Sequence, residues 1–327
     1  MKRILFLLAS LSLGIVLFIF VVRFIGWNNF ILAFQSFTGV NGLAILGLTF
    51  LMMLVAILRW QQIIESQGCQ ISIAALIKPF LVAHSVNYLM PTVPFGSEIV
   101  RGYILKEKTN FPGNIAISSA FIDRILEITA HVIMAFLGIV YFLLKIGMPP
   151  RNLAIILGGG FLLALIPISL FYFKSFKKES LVKFFIKRSE RNIILNVEEE
   201  IFNFFNVRKM FFWKGLIVAF LKDIVSLLRT FFAIVFLGKS LGFFSAFSIF
   251  SFSTLTQFFP IPAALGSLEI IQIFVFGKLG LSAGTATAFT MIVRGAELFF
   301  AFLGLFVFLS FGVKLLKKLL LNNNKNV

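Results

Sequence analysis

The sequence predicts an all-α polytopic membrane protein with about six full transmembrane helices, two proline-broken re-entrant hairpins and an inverted internal repeat. Three observations predict it: an apolar composition that water cannot accommodate, apolar runs of spanning length, and two related segments broken by paired prolines. Hydrophobic residues make up 59% of the 327 positions, with 45 phenylalanines against 13 acidic residues. Mean hydropathy is +1.01. Soluble domains average roughly 45–50% apolar and about 25% charged residues, so a chain this long would expose far too much apolar surface.

The formal charge of +17 would point to nucleic acid in a soluble protein. Here most basic residues fall in a few loops between apolar runs, where anionic headgroups are their neighbours and the excess marks the cytoplasmic side. No nucleic-acid partner is expected. A single Cys69 excludes an intramolecular disulfide and a thiolate cluster, and two distant histidines, His84 and His131, disfavour a His-based metal site. Neither a metal nor a cofactor is expected, and no nucleotide-binding motif is present.

Met1-Lys2-Arg3 followed by an apolar run to Val22 has the charge order of a signal peptide, but its core is too long and no cleavage site precedes Arg23. It reads as an uncleaved first span. Spans are predicted at 4–25, 40–58, 115–144, 152–173, 215–237 and 282–311, each near the ~20 residues that cross a ~30 Å hydrocarbon core. Lys2 and Arg3 set the first span running outward, and the second returns inward to Arg59. The loop from Lys174 to Lys214 holds ten Lys/Arg against five Glu, and the tail adds Lys314, Lys317, Lys318 and Lys325. Loops assigned outside carry only Lys145, Arg151, Lys239 and Lys278. Both termini are therefore placed in the cytoplasm of a multi-pass inner (cytoplasmic) membrane protein. Within the large loop Leu181, Phe184, Phe185, Ile193, Ile194, Ile201, Phe204 and Phe205 recur at helical spacing, as in a helix lying on the inner leaflet. Trp27, Trp60 and Trp213 fall at predicted interfaces and read as belt residues.

Two stretches are not ordinary spans. One runs from His84 through Asn87, Met90-Pro91-Thr92-Val93-Pro94-Phe95-Gly96-Ser97-Glu98 to Arg101. The other runs from Thr256 through Phe259-Pro260-Ile261-Pro262-Ala263-Ala264-Leu265-Gly266-Ser267 to Glu269. Proline removes a backbone donor and clashes with the preceding turn, so neither is one straight helix. Unpaired backbone survives at membrane depth only inside protein or beside a wet cavity. Both are read as re-entrant hairpins, the first dipping from the cytoplasm and the second from outside.

The two stretches are related by a constant offset. The differences 266 − 96, 267 − 97, 294 − 124, 297 − 127 and 229 − 59 all equal 170, joining Gly to Gly, Ser to Ser, Arg to Arg and Glu to Glu. A first unit at about 40–173 then repeats as a second at about 215–311, across the basic loop 174–214, within one membrane domain. Three crossings separate the units, and an odd number inverts one relative to the other. Inverted repeats with broken helices near the midplane are a common transporter layout.

Ionisable groups inside spans cost at least ~2.5–3.5 kcal/mol each on insertion scales and are functional candidates. Spacings of three and four put Arg124, Glu127 and His131 on one face of the third span with Asp123 beside them. Arg294 and Glu297 occupy the matching place in the last span. Arginine offers a fork suited to phosphate or carboxylate, and a neighbouring glutamate keeps the empty site close to neutral. A structural ion pair joining two spans is the competing account. Helix N-termini at Gly96-Ser97-Glu98 and Gly266-Ser267-Glu269 would add an anion-attracting dipole, with Arg59, Arg101 and Arg229 nearby. Arg59 and Arg101 read equally well as anchors at the membrane edge. Lys222 and Asp223 read as a local pair within the fifth span.

Asn87, Pro91, Gly96, Arg101, Arg124 and Glu127, with Pro260-x-Pro262, Gly266 and Glu269, together resemble the lysylphosphatidylglycerol synthase transmembrane (flippase-like) family over about residues 10–315. Many relatives have a more glycine-rich run where this chain has Ala263-Ala264-Leu265-Gly266. The resemblance implies a protein that moves a lipid with a charged, phosphate-bearing headgroup between leaflets. That lipid would be an anionic phospholipid, an aminoacylated lipid or a polyprenyl-phosphate-linked lipid. It implies no synthesis, since the chain ends at Val327, just past its last expected span. A partner lipid-modifying enzyme and self-association are both compatible with it. Arg124 and Arg294 would hold the phosphate, with Glu127 and Glu297 as counter-charges or proton carriers. Two rival readings stand beside it. A transporter of a small water-soluble ion needs a polar path, which spans rich in Phe, Leu and Ile do not offer. An intramembrane transferase on a polyprenyl-phosphate-linked substrate needs a general base and an acidic pair at a leaflet surface. Asp123 and Glu127, the close acidic pair within a span, lie deep.

Overall fold

The structure, a computed structural model, describes residues 39–89, 95–109, 111–180, 191–259 and 266–323. The expected first span at 4–25, the four prolines of the breaks, Trp27, and Leu181, Phe184 and Phe185 lie outside the described residues. Ten helices make up the described residues, with no strand among them: α1 (Val40–Ser66), α2 (Ile73–Leu89), α3 (Gly96–Lys108), α4 (Gly113–Lys145), α5 (Arg151–Lys177), α6 (Arg191–Phe204), α7 (Met210–Phe236), α8 (Phe243–Thr256), α9 (Ser267–Lys278) and α10 (Ala283–Asn323).

Helices α1, α4, α5 and the Ala283–Ser310 part of α10 are long and apolar enough to cross a membrane. They correspond to four of the predicted spans. Helix α7 covers the span expected at 215–237 and is as long as α1, at 27 residues, or about 40 Å. It differs in carrying Lys214, Lys222, Asp223 and Arg229. Pro112 and Pro150 stand immediately before α4 and α5, where a fixed φ suits helix entry and a missing N–H costs nothing.

Each interrupted stretch consists of two short helices that pack on one another, α2 on α3 and α8 on α9. At 17, 13, 14 and 12 residues they are roughly 26, 20, 21 and 18 Å long. Helix α3 restarts after Phe95 at φ 58, and α9 after Gly266 at φ 79. At Gly266 the absence of Cβ makes this left-handed turn accessible. Phe95 adopts it despite its side chain, whose ring packs against Phe121 with centroids 5.3 Å apart.

Helix starts follow the offset found in the sequence. Helix α7 begins 170 residues after α1 (210 − 40), α8 170 after α2 (243 − 73) and α10 170 after α4 (283 − 113). Contacts cross between the two groups: α1 lies against α7, α2 against α10 and α8 against α4. The last two crossings share one device. Ser85 of α2 donates to the Ala301 carbonyl at 2.5 Å, and Ser251 of α8 donates to the Met134 carbonyl at 3.1 Å. A Cβ on Gly304 would fall 2.0 Å from the Leu81 carbonyl oxygen, and one on Gly138 would fall 1.9 Å from Ser251 Oγ. Small residues of this kind let helices approach closely where no water-driven force joins them.

Two expectations are corrected here. In and just after α6, Ile201, Phe204 and Phe205 are buried with Ile63, Leu126 and Phe212, so at these three positions the apolar face is covered by protein. Trp60 is not a belt residue: it is wholly enclosed, and its Nε1 donates to Ser119 Oγ at 3.1 Å. Trp213, half exposed, keeps the exposure expected at an interface.

Candidate functional site

A cavity of about 310 Å³ lies where the two groups of helices meet, walled by residues of α1 to α4 and α7 to α10. Helices α5 and α6 contribute nothing to its wall. Among the described residues six permanent cations line it (Arg59, Arg101, Arg124, Lys222, Arg229 and Arg294) with five carboxylates, those of Glu98, Asp123, Glu127, Asp223 and Glu297. Near-balance is what a low-dielectric interior demands, since an uncompensated charge there loses several kcal/mol of hydration.

The charges form connected groups. Asp123 holds two arginines at once, Arg59 through Nε at 2.5 Å and Arg101 through Nη1 at 2.8 Å. Arg101 also donates to the Ala120 carbonyl at 3.0 Å and lies 4.2 Å above the Trp60 ring. These two arginines are therefore inner constituents of the site and not anchors at the membrane edge. Arg124 donates from Nη1 to Glu127 at 3.1 Å, with Glu98 3.6 Å from its Nε and Asn87 3.4 Å from its Nη2. Glu127 is paired on its other oxygen with Lys222 of α7. Lys222 therefore reaches across to α4 and is no local partner of Asp223. Neighbouring positions on a helix point apart, and Asp223 faces His131 Nε2 at 3.7 Å. His131 Nδ1 lies 2.7 Å from the Glu127 carbonyl; a carbonyl only accepts, so Nδ1 carries the hydrogen.

In the second group, Arg229 donates to Glu297 at 2.6 Å and to Thr49 Oγ1 at 3.1 Å, and His84 lies 3.6 Å from the other Glu297 oxygen. Arg294 pairs with Glu269. The expected Arg294–Glu297 pair is therefore divided between different partners, whereas Arg124–Glu127 is a pair. Glu269 also accepts from the Gly266 N–H at 2.9 Å. The start of α9, expected to attract an external anion, already holds a carboxylate of its own.

Of the residues predicted from the sequence, Arg59, Ser97, Glu98, Arg101, Asp123, Arg124, Glu127, His131, Arg229, Arg294 and Glu297 line the cavity. Gly96, Gly266, Ser267 and Glu269 do not. Lys222, Asp223, His84, Asn87, Tyr88, Thr49 and Thr230 also line it and were not predicted as site residues. The signal for Lys222 was its seven-residue spacing from Arg229, which puts both on one face of α7.

The family model described as lysylphosphatidylglycerol synthase TM region matches residues 7–304. The chain belongs to this family. It is accordingly a membrane protein with transmembrane helices and a lipid-related role, and the cavity lies entirely within the family's matched region. No curated protein and no solved structure matches the chain.

Proposed function

We propose that this member of the family is a flippase-like protein of the cell membrane, moving a phosphate-bearing lipid headgroup between leaflets without chemical turnover. The observation that carries the reading is the cavity of about 310 Å³ enclosed by both groups of helices and walled by buried charge. Its volume is at the lower end of ligand sites, roughly 300–1,000 Å³, enough for a headgroup while the apolar tails stay in the bilayer. Arg124 has the most exposed side chain of the six cations, at 26%, whereas Arg294, at 2%, is enclosed by Glu269. The phosphate is therefore assigned to Arg124, and Arg294 becomes the tie between α10 and α9.

In this reading the groups α1–α4 and α7–α10 are an inverted repeat, and α2–α3 and α8–α9 are re-entrant hairpins. The shared helix starts, the crossed packing and the short hairpin helices support it. Both termini face the cytoplasm, as the basic loops indicate. With no nucleotide motif in the sequence, transfer is passive or coupled to an ion gradient.

Reconstituted into vesicles, wild-type protein should render a headgroup-labelled phospholipid accessible to an external quencher faster than empty vesicles do. Glu127→Gln and Glu297→Gln should lose that acceleration while incorporating equally well. Wild-type rates in both variants would remove the assignment of the site.

A further inference from the structure

Two nitrogens of the most enclosed cation on the cavity wall have no partner. Arg59 uses Nε on Asp123, but Nη1 and Nη2 are buried without an acceptor. Its side chain is 1% exposed. A guanidinium nitrogen in that state has lost its water and gained nothing in return. Arg101 and Arg229 each leave only Nε in this condition.

The other group of helices shows how the vacancy is filled. Arg229 lies 170 residues after Arg59 and Glu297 170 after Glu127, and Arg229 Nη1 donates to Glu297 at 2.6 Å. The corresponding pair in the first group is open. Glu127 is turned instead to Lys222 and to Arg124 Nη1, on the same cavity wall as Arg59. The reason for the difference is visible in the sequence. Position 52, matching Lys222, is Met, and position 293, matching Asp123, is Val. Only the first group's glutamate meets a lysine of the other group, and only its arginine has a second carboxylate within its own group.

We propose that Glu127 is an exchangeable placeholder for a phosphate oxyanion. With the cavity empty it neutralises Lys222 and Arg124; when the oxyanion arrives it takes those two cations, and the Glu127 carboxylate turns onto Nη1 and Nη2 of Arg59. The exchange balances charge. Before it, Arg59 and Arg101 share the single carboxylate of Asp123; after it, Asp123 and Glu127 offset both. Lys222 thereby becomes a ligand-binding residue and Arg59 a positioning residue that acts through Glu127. The ligand class is a phosphate mono- or diester, supplied by a lipid headgroup or by free phosphate. The placement of the ligand rests on the headgroup reading above.

The test is a binding cycle on the full chain in maltoside micelles. Inorganic phosphate and, separately, dihexanoyl phosphatidic acid are titrated calorimetrically. Glu127→Gln, which removes the competing carboxylate, should bind roughly tenfold more tightly than wild type, the equivalent of about 1.4 kcal/mol. Arg59→Lys keeps a cation for Asp123 but has no fork for Glu127, and should bind about tenfold more weakly. In the double variant nothing needs rehousing, so affinity should match that of Glu127→Gln alone. Arg59→Gln, with the same expected pattern, replaces Arg59→Lys should the latter not elute as a single species. Tightening with both probes assigns the site to the shared oxyanion, and tightening with the lipid alone assigns it to the headgroup. Unchanged affinity in Glu127→Gln overturns the exchange. Equal loss from the Arg59 substitution in both backgrounds does so too, since Arg59 would then act independently of Glu127. Translocation is not read in this cycle: a protein that obeys it but moves no lipid retains the exchange and loses the transfer reading.

Discussion

Asp123 is the residue on which the first group of helices depends, because one carboxylate serves two enclosed guanidinium groups. Breaking a buried pair from one side costs about 3–5 kcal/mol, since the remaining charge has no water to return to. Asp123→Asn should therefore lower the thermal midpoint of the detergent-purified protein sharply, more than Glu98→Gln, whose partner Arg124 keeps Glu127. Trp60→Phe removes the hydrogen bond to Ser119 but keeps a ring beneath Arg101. It should cost only about 1 kcal/mol, seen as a modest shift in the same melt. Asp123, Arg124, Glu127 and His131 were legible in the sequence because charges in a span are conspicuous. Arg59 and Trp60 were ambiguous there, since both residue types also anchor helix ends. What distinguishes the two roles is a partner some 60 residues away, which no local pattern contains.

At the scale of helices, the crossings of α2 with α10 and α8 with α4 depend on absent side chains. At Gly304 an added methyl would meet the Leu81 backbone carbonyl oxygen and carbon, whereas at Gly138 it would meet only side-chain atoms at such short range, the Ser251 hydroxyl and Cβ. Gly304→Ala should thus destabilise more than Gly138→Ala, within the ~1–3 kcal/mol typical of overpacking, with detergent thermal melts as the measure. Helix existence was well read from apolar runs, and boundaries less well. The span expected at 40–58 continues as α1 to Ser66, because Arg59 is neutralised inside the bundle and Ile63 and Ile64 pack beyond it. A charge that ends a hydropathy run does not end a helix. Ile201, Phe204 and Phe205 were expected at the leaflet and are covered by protein for a related reason: helical periodicity shows that one face is apolar, not whether lipid or protein covers it.

Across the whole molecule, the chain carries 30 basic and 13 acidic residues while the cavity wall is close to neutral. The excess therefore lies elsewhere, much of it in loops, where salt screens it; the enclosed groups are screened far less. Raising sodium chloride from about 50 to about 500 mM should strip loosely held anionic lipids from the purified protein, as counted by native mass spectrometry. It should leave a lipid lodged in the cavity in place, and Arg124→Ala should release that one at either salt. The 170-residue offset was legible from five pairs of matching residues, and it anticipated where α7, α8 and α10 begin. The cavity itself was not, because it is made by packing eight helices, and a linear pattern shows only which charges each one brings.

The offset holds for three helix starts and for the pairs Arg59/Arg229, Arg124/Arg294 and Glu127/Glu297, but not for every charge: Asp123 answers to Val293, and Lys222 to Met52. In a carrier that alternates by letting its halves trade shapes, matched halves would make the inward-open and outward-open forms equally populated. Here the unmatched aspartate belongs to α4 in the first group and the unmatched lysine to α7 in the second, so under the transfer reading proposed above the two empty forms would differ in energy. Such a difference supplies no driving force for net transport. Under that reading it would set which leaflet finds the door open first, and would make the return of the empty carrier slower in one direction than in the other.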